Sequence, residues 1–264
     1  MEIQVVNSNE KIYYRTVGSG KPVLLVHGYL ANGDMYNPII PFLENQYQLI
    51  IPDIRGHGKS SKIGNTMDIK ELAKDLFMVL NDLQIQEPIH LMGYSKGGII
   101  AQQFVKDFSH LVKTLALCCT FSYKSLSVSE RMQKTIAPYI VKRLGAKGLA
   151  RYVFKGMSGG QEMNDEHWQA YKKMIQMCDD EKIYHSVRTI MNFDSRDWLK
   201  NILQPTLVIS SKDDLVVPPH HQEYLAANIP NARLRSIEGA GHALIYTHTE
   251  KFVNLLLKFW SEFE

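Results

Sequence analysis

The residues able to do chemistry in this 264-residue chain gather in three short segments far apart in sequence. The first is Gly93-Tyr94-Ser95-Lys96-Gly97, which ends the apolar run that starts at Ile89 and precedes a second apolar run with helical spacing. This is the pattern of a strand turning sharply into a helix with a serine at the apex. Such a turn holds the serine backbone in a sparsely populated conformation and needs small residues two positions to either side. Gly93 and Gly97 meet that need, and Gly98 lets the helix begin close to the sheet. The hydroxyl then stands above the sheet edge, and the next backbone N–H, at a helix start, can stabilise developing negative charge. The five residues alone are a weak signal; the strand-then-helix setting strengthens it.

A serine hydroxyl is a poor nucleophile unless a base lies beside it and a third group orients that base. The second segment, Ser211-Lys-Asp-Asp-Leu-Val-Val-Pro218, follows the strand-like run Thr206–Ser210 and offers Asp213 and Asp214 as the orienting acid. The third, Glu238-Gly-Ala-Gly-His242, follows the last strand-like run and offers His242 as the base. His248 is the weaker choice because it falls at a helix start. Side chains at the carboxyl ends of strands in an open α/β sheet converge on one edge, and the order Ser95, acid, His242 suits that convergence.

Other groups read as structural. His57, His90, His220, His221 and His248 are expected to be packing or surface residues. Neighbouring residues such as His220 and His221 seldom present two ligands to one ion, and the sequence shows no third ligand near them, so no metal is expected. Asp53 and Arg55 are expected to brace the Gly56–Gly58 loop, and Cys118 and Cys119 to be inert packing on a buried strand.

The elements that must position these groups follow from periodicity. Ile3–Val6 and Ile12–Thr16, separated by Asn7-Ser8-Asn9, predict an N-terminal hairpin. Pro22–His27 and Tyr47–Pro52 are short apolar runs expected of strands covered on both faces. Ile69, Leu72, Leu76, Phe77, Leu80 and Leu83 have helical spacing, with Asp68 as N-cap. The strand Ile89–Gly93, helix Gly98–Phe108 and strand Val112–Cys118 follow. After the chemistry-free stretch that comes next, the alternation resumes with strand Pro205–Ser210, helix His220–Asn228, strand Arg233–Ile237 and the amphipathic helix Glu250–Phe263. This alternation implies a doubly wound, mostly parallel α/β sheet with helices on both faces.

Between those halves, residues 121–201 carry only helix-like patterns: Val128–Leu144, Leu149–Phe154, Asp165–Asp179 and Glu181–Phe193, punctuated by Gly145, Gly148, Gly156 and Gly159-Gly160. An all-helical insert between two strands is expected to be a lid, giving a core of 1–120 and 202–264 and a cap of 121–201. Six of the eleven methionines (132, 157, 163, 174, 177 and 191) fall in it, together with Phe121, Tyr139, Tyr152, Phe154, Trp168 and Tyr171. A pliable, sulfur-rich, aromatic cap suits a substrate with an apolar portion.

Composition narrows the function classes. Apolar content of 45% and charged content of 22% are ordinary for a globular protein. A formal net charge of +3 is too small to imply nucleic acid or an acidic membrane surface as partner. The three cysteines, two of them adjacent, argue against a disulfide framework and for a reducing, cytoplasmic setting. The N-terminus lacks a signal-peptide pattern, and no run approaches the roughly 18 apolar residues of a membrane span.

With these residues in place, the chain resembles the α/β-hydrolase fold superfamily over essentially its whole length. Five motifs match in order: His27-Gly28-Tyr29, Asp53-Ile-Arg-Gly-His-Gly-Lys-Ser60, the serine turn, Asp213-Asp214-Leu-Val-Val-Pro218 and Gly241-His242. It is most similar to the capped esterases, enol-lactonases, carbon–carbon bond hydrolases and cofactor-free haloperoxidases. The resemblance implies an eight-stranded sheet with a cap inserted after strand 6, and catalytic Ser95, Asp214 and His242. The four-residue spacing to Pro218 favours Asp214 over Asp213. It also implies oxyanion donors at the backbone N–H groups of Tyr29 and Lys96, no cofactor and a small-molecule ester or lactone substrate. Tyr29, Phe121, Tyr139 and Trp168 are candidate substrate contacts. Ser at the nucleophile position disfavours the dehalogenase and epoxide hydrolase chemistries, which use Asp, and the lack of a Gly-Gly-Gly loop disfavours the hormone-sensitive-lipase-like esterases. Two alternatives stay open: carbon–carbon hydrolysis of a diketone, or perhydrolysis, by the same triad; and a non-catalytic ligand-binding homologue. The Lys96 side chain either meets an anionic substrate or points to solvent. Oligomeric state is not specified by the sequence.

Overall fold

Apolar runs bounded by Gly, Pro and Asp form the strands, and runs with 3.6-residue spacing form the helices around them. The computed structural model describes residues 2–7, 10–60, 67–124, 128–158 and 163–264. The strands are β1 (Glu2–Asn7), β2 (Glu10–Val17), β3 (Lys21–Val26), β4 (Tyr47–Pro52), β5 (Ile89–Tyr94), β6 (Val112–Cys118), β7 (Thr206–Ser211) and β8 (Ala232–Ile237). They make one eight-stranded sheet in the order β1-β2-β4-β3-β5-β6-β7-β8. β1 pairs antiparallel with β2, and β2 with β4; every other pairing is parallel. The expected hairpin is therefore present, although Ser8 and Asn9 of its connection lie outside the described residues, as does the Gly159-Gly160 pair.

The helices are α1 (Ile40–Leu43), α2 (Ile69–Asp82), α3 (Lys96–Phe108), α4 (Val128–Met157), α5 (Asp165–Gln176), α6 (Asp180–Asn192), α7 (His220–Asn228), α8 (Leu244–Thr247) and α9 (Thr249–Ser261). Asp68 caps α2 as its sequence suggests, its carboxylate accepting from Lys70 N at 2.9 Å. The central strands are buried on both faces: Val23, Leu24, Leu25 and Val26 of β3 and Leu91 and Met92 of β5 have no exposed surface. Parallel strands covered on both sides need such continuous apolar runs.

Helices α4, α5 and α6 lie in chain order between β6 and β7. Where the sequence suggests two helices, Val128–Leu144 and Leu149–Phe154, the structure joins them through a kink at Gly145, whose φ of 63° and ψ of −179° no helix contains. A side chain there would collide with the carboxylate of Asp180 at 2.8 Å, so only glycine fits. The next N–H, of Ala146, donates to Asp180 Oδ1 at 2.7 Å and ties the kink to α6.

Candidate active site

The turn between β5 and α3 carries the conformation that its glycines suggest. Ser95 sits at φ 52°, ψ −116°, a region costly for a residue with a side chain. Surrounding bonds hold it there: Ser95 N donates to Cys118 O at 2.8 Å, while its carbonyl accepts from Gly98 N at 2.9 Å and from Thr120 Oγ1 at 2.7 Å. The glycines are obligatory on packing grounds. A Cβ on Gly97 would lie 1.9 Å from Val26 O, and one on Gly93 2.4 Å from Gly97 O.

Three distant segments meet at this apex. His242 Nε2 lies 3.0 Å from Ser95 Oγ, and His242 Nδ1 lies 2.7 Å from Asp214 Oδ2. Asp214 is held by its other oxygen, which accepts from Val216 N and Val217 N at 2.8 Å each. Asp214 is buried and Asp213 exposed, so the structure separates the two candidate acids. With Asp214 accepting from Nδ1–H, the lone pair of Nε2 faces the serine hydroxyl, the tautomer a general base requires.

Two backbone segments border Ser95. Lys96 is the first residue of α3, so its N–H belongs to the helix turn that has no intrahelical acceptor. Gly28 is so close to Ser95 that a Cβ there would lie 3.4 Å from Ser95 Cβ. Tyr29 follows directly, and its hydroxyl donates to Ile183 O of α6 at 3.3 Å. The loop carrying these residues is fixed by His27, whose Nε2 accepts from Ile54 N at 2.9 Å while its Nδ1 donates to Gly28 O at 2.8 Å. Complete burial pushes the His27 imidazole down to about 3 and keeps it neutral in that double role.

Lys96 does not point to solvent. It is 1% exposed, its Nζ has no hydrogen-bond partner among the described residues, and burial pushes its pKa down to about 7. Of the other candidate contacts, Phe121 is buried against the His221 ring, with centroids 5.8 Å apart. Trp168 is half-buried, edge-on to Phe154 at 5.1 Å. Tyr139 corrects its expectation: at 75% exposure on α4 it faces water, not an enclosed surface beside Ser95. A cavity of about 400 Å³ opens between α2 and α6, lined by residues such as Met67, His185 and Arg188; no residue of the Ser95–His242–Asp214 chain lines it.

Long-range partners account for what the sequence did not show. Asp53 accepts from Gly33 N and Lys59 N at 2.8 Å each and braces the loop, but Arg55 pairs bidentately with Asp75 at 2.5 and 2.6 Å. Tyr94 donates to the carbonyl of His242 at 2.6 Å. Cys119 is buried beside the acid, and burial together with the Asp214 charge pushes its thiol well above the ordinary value and keeps it protonated. The histidine pair also has the third group that was not evident from sequence. Glu130 Oε1 of α4 lies 2.5 Å from His221 Nε2 and 3.5 Å from His220 Nε2. These three donors are near enough to one another to take a divalent cation; as they stand they form a clasp joining α4 to α7. Lys124 Nζ adds a bond to Val216 O at 2.7 Å, beside the acid.

The chain matches known proteins along most of its length. The sequence model of the alpha/beta hydrolase fold family covers residues 21–249. An Azorhizobium caulinodans protein provisionally named carbamate hydrolase RutD is 26% identical over 259 residues, 96% of each chain. The poly(3-hydroxyalkanoate) depolymerase of Ectopseudomonas oleovorans is 28% identical over 90% of this chain and 83% of its own. Among solved structures, an esterase from Exiguobacterium antarcticum superposes with a TM-score of 0.90 at 25% identity, covering 98% of both chains.

Proposed function

The chain belongs to the α/β-hydrolase fold family and is a hydrolase, and from that premise we propose that it cleaves a carboxylic ester or lactone through an acyl-enzyme formed on Ser95. The observation that carries this reading is the connected chain Ser95 Oγ–His242–Asp214, with links of 3.0 and 2.7 Å. Ser95 Oγ attacks the carbonyl carbon as His242 Nε2 takes its proton. The resulting oxyanion lies against the N–H groups of Lys96 and Tyr29, and two such donors are worth several kcal/mol of transition-state stabilisation. His242 passes the proton to the departing alkoxide, which leaves as the alcohol. A water molecule, deprotonated by the same imidazole, then releases the acid. Asp214 holds the tautomer and offsets the charge on the imidazolium.

Residues 121–201 act in this reading as a cap, clasped to the acid loop by Lys124 and to α7 by Glu130. The esterase among the similar structures and the depolymerase among the similar sequences support an ester over other acyl substrates. Replacing Ser95 with Ala tests the assignment: turnover of a 4-nitrophenyl ester is expected to fall by about 10³-fold or more with the fold intact. Near-normal turnover would place the nucleophile elsewhere.

A further inference from the structure

A lysine ammonium buried without a partner is costly, because desolvation penalises its charge and no hydrogen bond offsets the loss. Lys96 is such a residue, and it directly follows the nucleophile. Its Nζ is sealed from solvent and makes no hydrogen bond to any of the described residues. The groups that feel its charge are His27 and His57 on the sheet side and Cys178 from the connection between α5 and α6. The ammonium is therefore buried among groups from the segments after β3 and β4 and from the connection between α5 and α6, one residue along the chain from Ser95. No carboxylate stands among its charge partners within the described residues; Cys178 is the single group that favours its charged form. Burial pushes the Cys178 thiol up to about 12, so at neutral pH that group supplies no counter-charge. Tyr171, which feels Cys178 and Tyr29, is a second buried donor whose hydroxyl lacks a partner among the described residues. The His57 ring presents a third atom with no partner among them, Nε2, an acceptor because Nδ1 faces Arg55 O at 3.1 Å.

We propose that Lys96 reads the charge of the substrate, and that the preferred esters carry a carboxylate a few atoms from the scissile carbonyl, on the acyl chain or on the alcohol. This rests on the ester-hydrolase reading above. The carboxylate accepts from Lys96 Nζ. Binding supplies the counter-charge that the folded chain withholds, so the same ammonium that is unsupported in the free enzyme becomes a charge-assisted hydrogen-bond donor in the complex. Because the free amine titrates near neutrality, anion binding takes up a proton at alkaline pH. Selectivity for the anionic ester is then full below about pH 7 and declines as pH rises above it.

Two matched pairs of aryl esters test this: mono-(4-nitrophenyl) glutarate against 4-nitrophenyl pentanoate, and 4-(butanoyloxy)benzoate against phenyl butanoate. In at least one pair, the ratio of kcat/KM for the anionic over the neutral ester is expected to fall at least tenfold in Lys96→Met, chiefly through KM, and to be partly restored in Lys96→Arg. The wild-type ratio should also decline between pH 6.5 and 9. Ratios that are the same in wild type and Lys96→Met for both pairs would overturn the proposal, as would flat wild-type pH profiles if Lys96→Met does not fold. Should the wild type hydrolyse none of the four esters, the ester reading fails separately. Calorimetric binding of glutarate to the wild type, lost in Lys96→Met, would still support the charge-reading role, and no binding to the wild type would refute it.

Discussion

Tyr94 and His242, 148 residues apart, are joined by a 2.6 Å hydrogen bond from the phenol to the histidine carbonyl, and the two rings meet edge to face with centroids 5.9 Å apart. The residue before Ser95 thereby fixes the loop that carries His242.

Tyr94→Phe removes that bond and keeps the ring contact. A buried hydrogen bond is worth about 1 kcal/mol net, and more when its partner is left unsatisfied. We expect kcat to fall about tenfold with little change in KM, measured by steady-state kinetics on a 4-nitrophenyl ester. An unchanged kcat would show that the His242 loop is held by other contacts.

Asp214 and Asp213 should separate cleanly. Asp214→Asn keeps the bonds from Val216 N and Val217 N possible but favours the wrong imidazole tautomer, and kcat/KM should drop by about 10³–10⁴-fold. Asp213, exposed and bonded through its backbone to Ala240 O, should tolerate Asn within a few-fold. Equal losses in the two variants would contradict the assignment.

Gly97→Ala tests the serine turn. Its methyl would meet Val26 O at 1.9 Å, and backbone atoms cannot move aside as a flexible side chain can. A destabilisation of about 3 kcal/mol or more is expected, read as a lower thermal midpoint or loss of soluble protein. A wild-type midpoint would mean that the turn relaxes.

Acid should destabilise the fold through its buried imidazoles. Burial lowers His27 to about 3 and His90 and His221 to about 4. Each is neutral when folded, whereas the unfolded chain takes up a proton near pH 6.5. The unfolded state thus binds more protons below that pH, and stability falls as pH drops from 6.5 toward 4. Thermal midpoints recorded across that interval should decline steadily; a flat profile would show that these rings are not neutral in the fold.

Much of this arrangement was legible in the sequence, and the reason is local. The β6 segment Val112–Cys118 and the Asp68 cap are set by runs and caps a few residues long. The serine turn is set by two glycines within five residues. What was not legible depends on contacts between segments far apart in the chain. Arg55 has its partner at Asp75 and not at Asp53, and Glu130 reaches His221 across 91 residues. Lys96 is buried with its Nζ away from solvent, which no pattern around position 96 records. Tyr139, in an aromatic-rich stretch, faces water because α4 turns that side outward. The kink at Gly145 was visible only as a glycine; its cause is the carboxylate of Asp180, 35 residues on.

The central claim is that Ser95 is a nucleophile activated by His242, and covalent labelling tests it most directly. A fluorophosphonate probe should react with one equivalent of protein, peptide mapping should place the adduct on Ser95, and His242→Ala should slow the reaction by orders of magnitude. A wild-type protein that stays unlabelled, or carries the adduct on another residue, would contradict the account.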